Sequence, residues 1–248
     1  MGRFETSAAF YHFREPYSLE FFETVAKRLN LTRRTRMLDV ACGPGNLAIG
    51  FAPYTGTSTA VDHEPEMLRF ARMNAAEAGT DVRFIEAGIE DLNAETGSFD
   101  FVTIGRALHW LPNAATLAVL ERVIAPDGHI AICGSTQTDS PVNAWAKKYG
   151  ELRRACGNDP NESRYHVDKD QWFAPFRFKR FDEVRVEHQQ RVAIEDLIGR
   201  ALSFSTTSPA AVGDRRPQFE AELRESLGPF TADGVVEEEL VSIATLFG

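Results

Sequence analysis

Two acidic residues and two glycines in the N-terminal part of the chain have the types and the spacing to bind a small charged ligand. Asp39 lies inside a short apolar run, residues 37–41, which ends at a turn containing Gly43 and Gly45. Because glycines carry no β-carbon, a ligand can lie directly against the main chain of such a turn. Asp62 ends the next apolar run, about 20 residues after the turn. In an α/β sheet, a carboxylate at this position reaches the ribose hydroxyls of a bound nucleoside.

The residues of the turn separate two classes of nucleotide-binding protein. A dinucleotide site needs G-x-G-x-x-G, so that the first helix packs closely and directs its N-terminus at a pyrophosphate. Here the turn reads G-P-G-N-L-A, with Ala48 at the third position. Asp39 would repel a pyrophosphate but attract a ligand with an ammonium group. The turn therefore favours a ligand with a positively charged amino group. The alternative is that Asp39 and Asp62 only cap local turns.

This stretch resembles motif I of the class I S-adenosylmethionine-dependent methyltransferases, with Asp62 in the place of the ribose-binding acid of that family. The resemblance implies S-adenosylmethionine as the cofactor and S-adenosylhomocysteine as the product. It places the methionine end of the cofactor at the turn, with other side chains along the ribose and adenine. The cofactor positions in this stretch are Asp39, Ala41, Gly43, Gly45, Asp62, His63 and Met67.

Residues 87–92, A-G-I-E-D-L, resemble the adenine loop of the same family, which usually reads G-D-A-E-D-L. Gly88 stands where the family usually has Asp, so a side chain at this position cannot recognise adenine. The prediction therefore moves to the backbone of Ile89 and the carboxylate of Glu90. A plain solvated acid is the alternative for Glu90.

The N-terminal pattern A-x-x-Y-x-x-x-R-x-P-Y resembles the opening of the branch that includes trans-aconitate methyltransferase-like enzymes, where the segment covers the cofactor. On that resemblance Tyr11, Arg14 and Tyr17 are candidates to contact the methionine end. Arg14 suits the carboxylate of the cofactor, since a guanidinium pairs well with a carboxylate. Surface packing is the alternative for each of the three.

A second group of candidates follows the apolar run 99–105 in the sequence R-A-L-H-W-L-P. Ligands of open α/β sheets bind outside the carboxyl ends of the strands, which favours Arg106 for the cofactor and His109 and Trp110 for the substrate. In the family this position faces the transferred methyl group, and histidine titrates near neutral pH. His109 is the first candidate for a general base and Tyr11 the second. The alternatives are that His109 is a structural or cofactor-packing histidine and that Trp110 belongs to the hydrophobic core.

The alternation of apolar runs and helical patterns predicts the fold. Five strand–helix units in succession imply a parallel sheet with helices on both faces, and two late alternating segments, 181–192 and 234–247, match the closing antiparallel hairpin of the family. The fold class is therefore α/β, a Rossmann-like, seven-stranded, mostly parallel sheet with a helical cap. The predicted domains are an N-terminal lid and helix (1–34), the cofactor-binding core (35–134), and cap insertions with the last two strands (135–248).

The predicted cap, made of insertions at about 135–180 and 193–233, is rich in aromatic residues: Trp145, Tyr149, Tyr165, Trp172, Phe173, Phe176, Phe178 and Phe204. An aromatic cap would enclose a small, partly apolar or planar acceptor, and Trp145 and Tyr149 are predicted substrate residues. The alternative is that these rings form the core of a small helical layer.

Composition limits the partners. The chain has 248 residues and a formal net charge of -9, which argues against a nucleic-acid substrate. No run approaches the roughly 20 apolar residues of a membrane span, and the N-terminus lacks a signal-peptide core. We expect a cytoplasmic monomer or homodimer without a membrane partner. The three cysteines are scattered, which predicts neither a metal site nor a disulfide framework.

The function predicted from these features is methyl transfer from S-adenosylmethionine to an O or N atom of a small molecule by in-line displacement. A base is needed only where the acceptor is protonated at neutral pH. A nucleotide-dependent oxidoreductase of the same topology is one alternative. A non-catalytic cofactor-binding protein is the other.

Overall fold

The computed structural model describes residues 6–93, 98–157 and 167–248. Tyr165 of the predicted cap and residues 1–5 of the predicted N-terminal segment lie outside the described residues. The chain forms two compact units. Of the described residues, the sheet unit contains 17–134, 167–186 and 243–248, and the helical unit contains 6–16, 135–157 and 187–242.

In the described part of the chain, seven strands form one sheet. They are β1 (Arg36–Val40), β2 (Thr57–Asp62), β3 (Arg83–Glu86), β4 (Phe99–Gly105), β5 (Ile124–Gln137), β6 (Arg180–Ala193) and β7 (Val235–Phe247). The order across the sheet is β3-β2-β1-β4-β5-β7-β6, and β1 to β5 pair in parallel. The two late strands close the sheet in the antiparallel sense. Lys179, directly before β6, and Gly248, directly after β7, exchange both backbone hydrogen bonds at 3.1 Å, as antiparallel partners do.

Helices follow β1, β2 and β4 of the parallel part, as the sequence predicts, whereas the described residues between β3 and β4 form only a 3₁₀ turn, Ile89–Asp91. Nine α-helices lie in the described part of the chain. They are α1 (Leu19–Arg28), α2 (Asn46–Phe51), α3 (Pro65–Glu77), α4 (Asn113–Val123), α5 (Ala144–Cys156), α6 (Lys169–Phe173), α7 (Ile194–Leu202), α8 (Pro209–Val212) and α9 (Arg216–Leu227). Among them, none is both long and apolar enough to cross a membrane. The prediction of a Rossmann-like, seven-stranded, mostly parallel sheet is confirmed.

The fifth strand is longer than the sequence indicates. The pattern predicts a turn at 126–128 and a strand at 129–134, whereas β5 begins at Ile124. Phe99 of β4 pairs with Ile124, and Phe101 pairs with His129, so the register shifts between the two pairs. The turn-forming residues are absorbed in this irregularity, since a bulge accommodates extra residues without ending a strand.

The sheet unit buries both faces of its sheet. Successive residues of β1 and β4 alternate between two hydrophobic clusters, with Leu38 and Val102 in one and Met37 and Phe101 in the other. Such two-sided burial requires helices on both faces and explains the nearly continuous apolar runs of these strands.

Four of the predicted cap aromatics pack in the sheet unit instead. Trp172, Phe173, Phe176 and Phe178 lie on the same cluster as Leu38. The ring centroid of Phe173 is 4.4 Å from that of Phe247, near the end of β7. Their assignment to a separate cap is therefore wrong, because the chain returns to the sheet at α6, before β6 begins.

The helical unit has a core of its own, formed mainly by α5, α7 and α9. The segment predicted as an N-terminal lid is divided between the units: residues 6–16 belong to the helical unit and α1 to the sheet unit. Ser18 begins α1, where its side chain accepts a hydrogen bond from the backbone N–H of Phe21 at 3.2 Å, a typical helix N-cap.

Candidate functional site

The turn between β1 and α2 holds three residues in the left-handed region, Ala41 (φ 52°), Gly43 (φ 55°) and Gly45 (φ 84°). The two glycines serve different purposes. A β-carbon added to Gly43 would have no heavy atom within 4 Å, so the space over this residue is open to a ligand. A β-carbon on Gly45 would lie 3.2 Å from Ile49 Cδ1 and 3.4 Å from the β-carbon of Ala71. The space over Gly45 is therefore filled by neighbouring side chains, and its left-handed φ is what favours glycine there.

Ala41 stands at a backbone conformation that L-residues seldom adopt. Its left-handed φ costs on the order of 1–3 kcal/mol for a non-glycine residue. The strain lies at the carboxyl end of β1, where the chain turns into the glycine turn. Strained backbone of this kind clusters at ligand-binding sites, where the surrounding structure maintains it.

Asp62 ties the end of β2 to this turn. Its Oδ2 accepts a hydrogen bond from the backbone N–H of Gly43 at 2.7 Å, and its Oδ1 accepts one from the backbone N–H of Glu64 at 2.9 Å. The fold thus brings together two of the predicted residues that are distant in sequence. Met67 is buried, while the side chain of His63 is exposed, with Nδ1 3.9 Å from Asp62 Oδ1.

Asp39 is buried, with 1% of its surface exposed. Its Oδ1 accepts a hydrogen bond from Thr103 Oγ1 at 2.8 Å, and its Oδ2 accepts one from the backbone N–H of Ala48 at 3.1 Å. Burial raises the pKa of Asp39 to about 7; the two hydrogen bonds oppose this shift, and the charge of Asp62 adds to it. Because both oxygens have partners within the protein, the charge of Asp39 is the property left to act on a ligand.

Sequence reasoning missed two residues that hold this arrangement. Thr103 was detectable as a hydroxyl in the middle of the apolar strand β4, and it donates the hydrogen bond to Asp39. Asn74 of α3 donates through Nδ2 to the backbone oxygen of Pro44 at 3.0 Å. No local signal marks Asn74, because the contact depends on how α3 packs on the turn.

The predicted adenine loop follows β3 as a short 3₁₀ turn, Ile89–Asp91. Ile89 is buried, and Glu90 is exposed. A β-carbon added to Gly88 would lie 2.8 Å from Oε1 of Glu90. The carboxylate of Glu90 therefore lies close over Gly88, in the space that a β-carbon at position 88 would enter.

The residues after β4 lie at the carboxyl end of that strand, as predicted. Arg106 has a left-handed φ of 56°, and its guanidinium carbon is 5.0 Å from the ring centroid of Tyr17. The rings of His109 and Trp110 are 4.6 Å apart, and Trp110 packs against the sheet core. The catalytic and substrate roles of His109 and Trp110 stay predictions.

Four further predicted residues belong to the helical unit. Tyr11 lies in a 3₁₀ segment, Ala8–Phe13, and Arg14 follows it. Trp145 and Tyr149 are buried in the core of that unit, where Trp145 Nε1 donates to Glu237 O at 3.1 Å and Tyr149 Oη donates to Leu197 O at 3.1 Å. Their roles as cofactor or substrate contacts stay predictions.

The strand order, the glycine turn and the acid at the end of β2 are features that the chain shares with methyltransferases. A family model described as "Methyltransferase domain" matches residues 37–128, from β1 into β5. This match covers less than half of the chain, and the fold of the chain is the Rossmann-like fold of methyltransferases. The family resemblance of the motifs is confirmed.

Comparison with individual proteins gives more detail. The chain is 34% identical over 129 residues to a ubiquinone biosynthesis O-methyltransferase of Xanthomonas oryzae pv. oryzae, which covers 51% of this chain and 52% of that protein. The chain thus spans about half the length of the curated relatives that it matches.

Two solved structures share the fold over nearly the whole chain. One is an S-adenosylmethionine-dependent methyltransferase from Thiobacillus denitrificans in complex with S-adenosylhomocysteine, with a TM-score of 0.56, 16% identity, and 99% of both chains covered. The other is an S-adenosylmethionine-dependent methyltransferase from Geobacter sulfurreducens, also in complex with S-adenosylhomocysteine, with a TM-score of 0.56, 17% identity, and 98% and 97% of the two chains covered.

Proposed function

We propose that this protein transfers a methyl group from S-adenosylmethionine to an O or N atom of a small molecule by in-line displacement. The observation that carries the proposal is the glycine turn, where the space over Gly43 is open and its N–H is held by Asp62. The curated relatives named as O-methyltransferases and the two structures in complex with S-adenosylhomocysteine support the same function.

In the proposed cofactor site, the main chain of Ala41, Gly43 and Gly45 faces the methionine end, and the negative charge of Asp39 attracts its ammonium group. Asp62 accepts hydrogen bonds from the ribose hydroxyls. Three further groups of residues complete the proposal. His63 and Met67 lie beside the ribose and adenine. The adenine contacts Gly88, Ile89 and Glu90, and the methionine end contacts Tyr11, Arg14 and Arg106.

The carboxylate of Glu90 is the proposed acceptor for the amino group of adenine. Its position over Gly88 lets it take the place of the Asp that the family usually has two residues earlier. A carboxylate and an exocyclic amine form a charge-assisted hydrogen bond, which is stronger than a neutral one.

S-Adenosylmethionine supplies an activated methyl group, so this chain has little covalent chemistry to perform. Its proposed contribution is to hold the acceptor in line with the methyl carbon and the sulfur and to keep water away. A phenol or ammonium acceptor would also need a base. His109 is the first candidate for that role and Tyr11 the second, while a carboxylate acceptor needs neither.

A small-molecule acceptor agrees with the acidic composition of the chain, since a protein of net charge -9 repels nucleic acid. The cytoplasmic location and the monomeric or homodimeric state remain part of this proposal.

The decisive experiment is calorimetric titration with S-adenosylhomocysteine and, separately, with a nicotinamide dinucleotide. We expect binding of the first ligand only. Asp62→Asn removes the charge from the ribose-binding acid and should weaken S-adenosylhomocysteine by about tenfold or more, since a hydrogen bond to a charged group contributes about 1.5–3 kcal/mol.

Asp81→Asn is the matched control. Asp81 is an exposed acid before β3, and its replacement by Asn changes the net charge of the chain by the same amount. The affinity of the Asp81→Asn variant for S-adenosylhomocysteine should equal that of the unaltered protein. Unchanged affinity in Asp62→Asn would refute the ribose assignment, and binding of the dinucleotide alone would refute the proposed function. A labelled methyl donor and a panel of metabolites would then identify the acceptor.

A further inference from the structure

A hydroxyl group lies beside the buried carboxylate of Asp39 in the middle of the sheet. Thr103 of β4 is the direct neighbour of Asp39 of β1 in the parallel register, so the two side chains point to the same face. Thr103 is fully buried, as are its neighbours Val102 and Ile104. A buried hydroxyl within an apolar strand is costly unless it is hydrogen-bonded. The bond from Thr103 Oγ1 to Asp39 Oδ1, 2.8 Å long, meets this need.

The surroundings of Asp39 disfavour its charge. Burial has the largest effect in raising the pKa of Asp39, and the charge of Asp62, at the end of the neighbouring strand β2, raises it further. Cys42 of the glycine turn and Cys133 of β5 also interact with the charge of Asp39. Burial raises the pKa of both thiols, so they stay neutral. None of these three groups offers Asp39 a positive charge.

The cations of this region act on the thiols. Against the effect of burial, Arg72 of α3 lowers the pKa of Cys42, and Lys169 and Arg106 lower that of Cys133. None of the three cations forms an ion pair with Asp39 within the residues that the structure describes. The charge of Asp39 therefore depends on its hydrogen bonds.

Two hydrogen bonds stabilise the ionised form of Asp39. Against the effect of burial, the hydroxyl of Thr103 and the backbone N–H of Ala48 both lower the pKa of Asp39, and the effect of Thr103 is the larger. The N–H of Ala48 belongs to the backbone of α2, so it is present with any side chain at that position. The hydroxyl of Thr103 is the contribution that a substitution can remove.

We propose that Thr103 is a positioning residue of the cofactor site, whose hydroxyl fixes the Asp39 carboxylate and stabilises its charge for the ammonium group of S-adenosylmethionine. This proposal rests on the proposed function, because it needs the ammonium group close to Asp39. An ionised carboxylate only accepts hydrogen bonds, and a bond to a charged group is stronger than a neutral one. The action of Thr103 passes through Asp39, since Thr103 itself is fully buried.

The proposal predicts how the affinity for S-adenosylhomocysteine changes with pH. Thr103→Val keeps the shape of the side chain and removes the hydroxyl, so the midpoint of the affinity curve should move to higher pH by about one unit. At pH 7 the ionised fraction of Asp39 would fall from about half to about a tenth, and the affinity should fall about fivefold. At about pH 8.5 Asp39 is largely ionised in both proteins, so the difference should shrink to less than about twofold.

The test is calorimetric titration of the full chain with S-adenosylhomocysteine between about pH 6 and about pH 8.5. Thr103→Ser restores a hydroxyl and should restore the profile of the unaltered chain. Thr116→Val is the matched control. Thr116 of α4 is also fully buried, and its Oγ1 lacks a hydrogen-bond partner among the described residues. In the Asp39→Asn background, Thr103→Val should no longer move any midpoint, because the titrating group is absent.

The ligand-free protein gives an independent measurement. The carboxyl carbon resonance of Asp39, followed by NMR, should titrate with a midpoint of about 7, and Thr103→Val should move this midpoint to higher pH. Thr103→Ala, a second variant without the hydroxyl, should move it in the same direction. The thermal unfolding midpoint of each variant shows that it is folded.

Three results would overturn the proposal. They are a loss of affinity by the same factor at every pH, an unchanged midpoint of Asp39 in Thr103→Val, and an equal change in Thr116→Val. The first would mean that Thr103 only supports the packing of the sheet. Failure of S-adenosylhomocysteine to bind the unaltered chain would instead refute the proposed function.

Discussion

The two acids at the glycine turn have the same side chain but different electrostatic states. Asp62 accepts two backbone hydrogen bonds at the end of β2. Asp39 is buried beneath the turn, and desolvation raises its pKa to about 7. A carboxylate with this pKa is only partly ionised at neutral pH, so a nearby cation can change its protonation.

This state predicts proton release on ligand binding. If the ammonium group of S-adenosylhomocysteine lies near Asp39, it favours the ionised form and lowers the pKa of Asp39. At pH 7 binding should therefore release about half a proton. Calorimetry in buffers of different ionisation enthalpy measures this quantity.

Asp39→Asn is the control for that experiment, because it keeps the shape of the side chain and removes the titrating group. The release should vanish in this variant and should become small well above pH 7, where Asp39 is already ionised. Equal proton release in the two proteins would mean that Asp39 supports the turn without acting on the ligand.

The same group also makes stability depend on pH. The folded-state pKa of Asp39, about 7, lies above its ordinary value of 3.8. The contribution of Asp39 is therefore fully present below about pH 4 and is lost as the pH rises through about 7. The quantity to measure is the unfolding free energy of the ligand-free protein minus that of the Asp39→Asn variant. This difference should fall by up to about 1.4 kcal/mol for each unit of rising pH between these two values. Urea titrations at pH 5 and pH 7.5 would measure it, and a constant difference would contradict the raised pKa.

At the scale of elements, the approach of α1 to α2 depends on one glycine. A β-carbon on Gly50 would overlap the ring of Phe22. That ring cannot move aside easily, since it is buried and makes an edge contact with Phe51 at 4.9 Å between centroids. Gly50 therefore sets the distance between the two helices on this face of the sheet unit.

Gly50→Ala should destabilise the protein by about 1–3 kcal/mol, the usual cost of overpacking. Helix propensity alone would favour alanine by about 1 kcal/mol, so the sign of the change separates the two effects. Chemical denaturation gives the measurement. Gly228→Ala is the control, because Gly228 has a helical φ of -46° and no atom within 4 Å of an added β-carbon. A stabilised Gly50→Ala variant would show that the helices move apart at little cost.

Element positions were predictable where the pattern is local. The strands β1, β2 and β4 follow from apolar runs that end at Gly or Asp, and α3 follows from Pro65 at its first position. The extension of β5 to Ile124 was not predictable. It depends on pairing with β4, which no local pattern of residues 124–128 records.

At the scale of the whole molecule, the helical unit is assembled from three separate parts of the chain around a buried ion pair. Arg200 of α7 donates to both oxygens of Glu238, at 2.5 and 3.0 Å, and its Nε donates to Phe13 O at 2.8 Å. Gln137 and Gln190 donate to the same carboxylate at 2.8 and 2.7 Å. Burial opposes the charge of Arg200, but the hydrogen bonds and charges of the nearby acids outweigh it, so the pKa of Arg200 is raised.

Arg200→Met should destabilise the protein by about 3–5 kcal/mol, because it leaves the charge of Glu238 buried without its main partner. The double variant Arg200→Met/Glu238→Leu should be more stable than Arg200→Met alone, since it removes that uncompensated charge. Chemical denaturation compares the two. Arg224→Met, which breaks the exposed pair with Glu195, is the control and should cost less than about 1 kcal/mol. A double variant as unstable as Arg200→Met would show that packing, and not charge, explains the loss.

The sequence by itself determined the order of the main strands and helices, the glycine turn and the resemblance to methyltransferases, because these are recorded in neighbouring residues and in short motifs. It also indicated Asp39 and Asp62 as a pair with different roles. Only the tertiary structure decided that Thr103 binds Asp39, that Glu90 fills the space over Gly88, and that Trp172 belongs to the sheet unit.

The stacking of Arg14 and Arg153 on the ring of Phe204, with guanidinium carbons 3.7 and 3.8 Å from its centroid, was also decided by the tertiary structure alone. These residues come from three parts of the chain that are far apart in sequence. Periodicity and motifs describe only local order, whereas contacts of this kind arise when separate segments bury their apolar faces together and carry polar side chains with them.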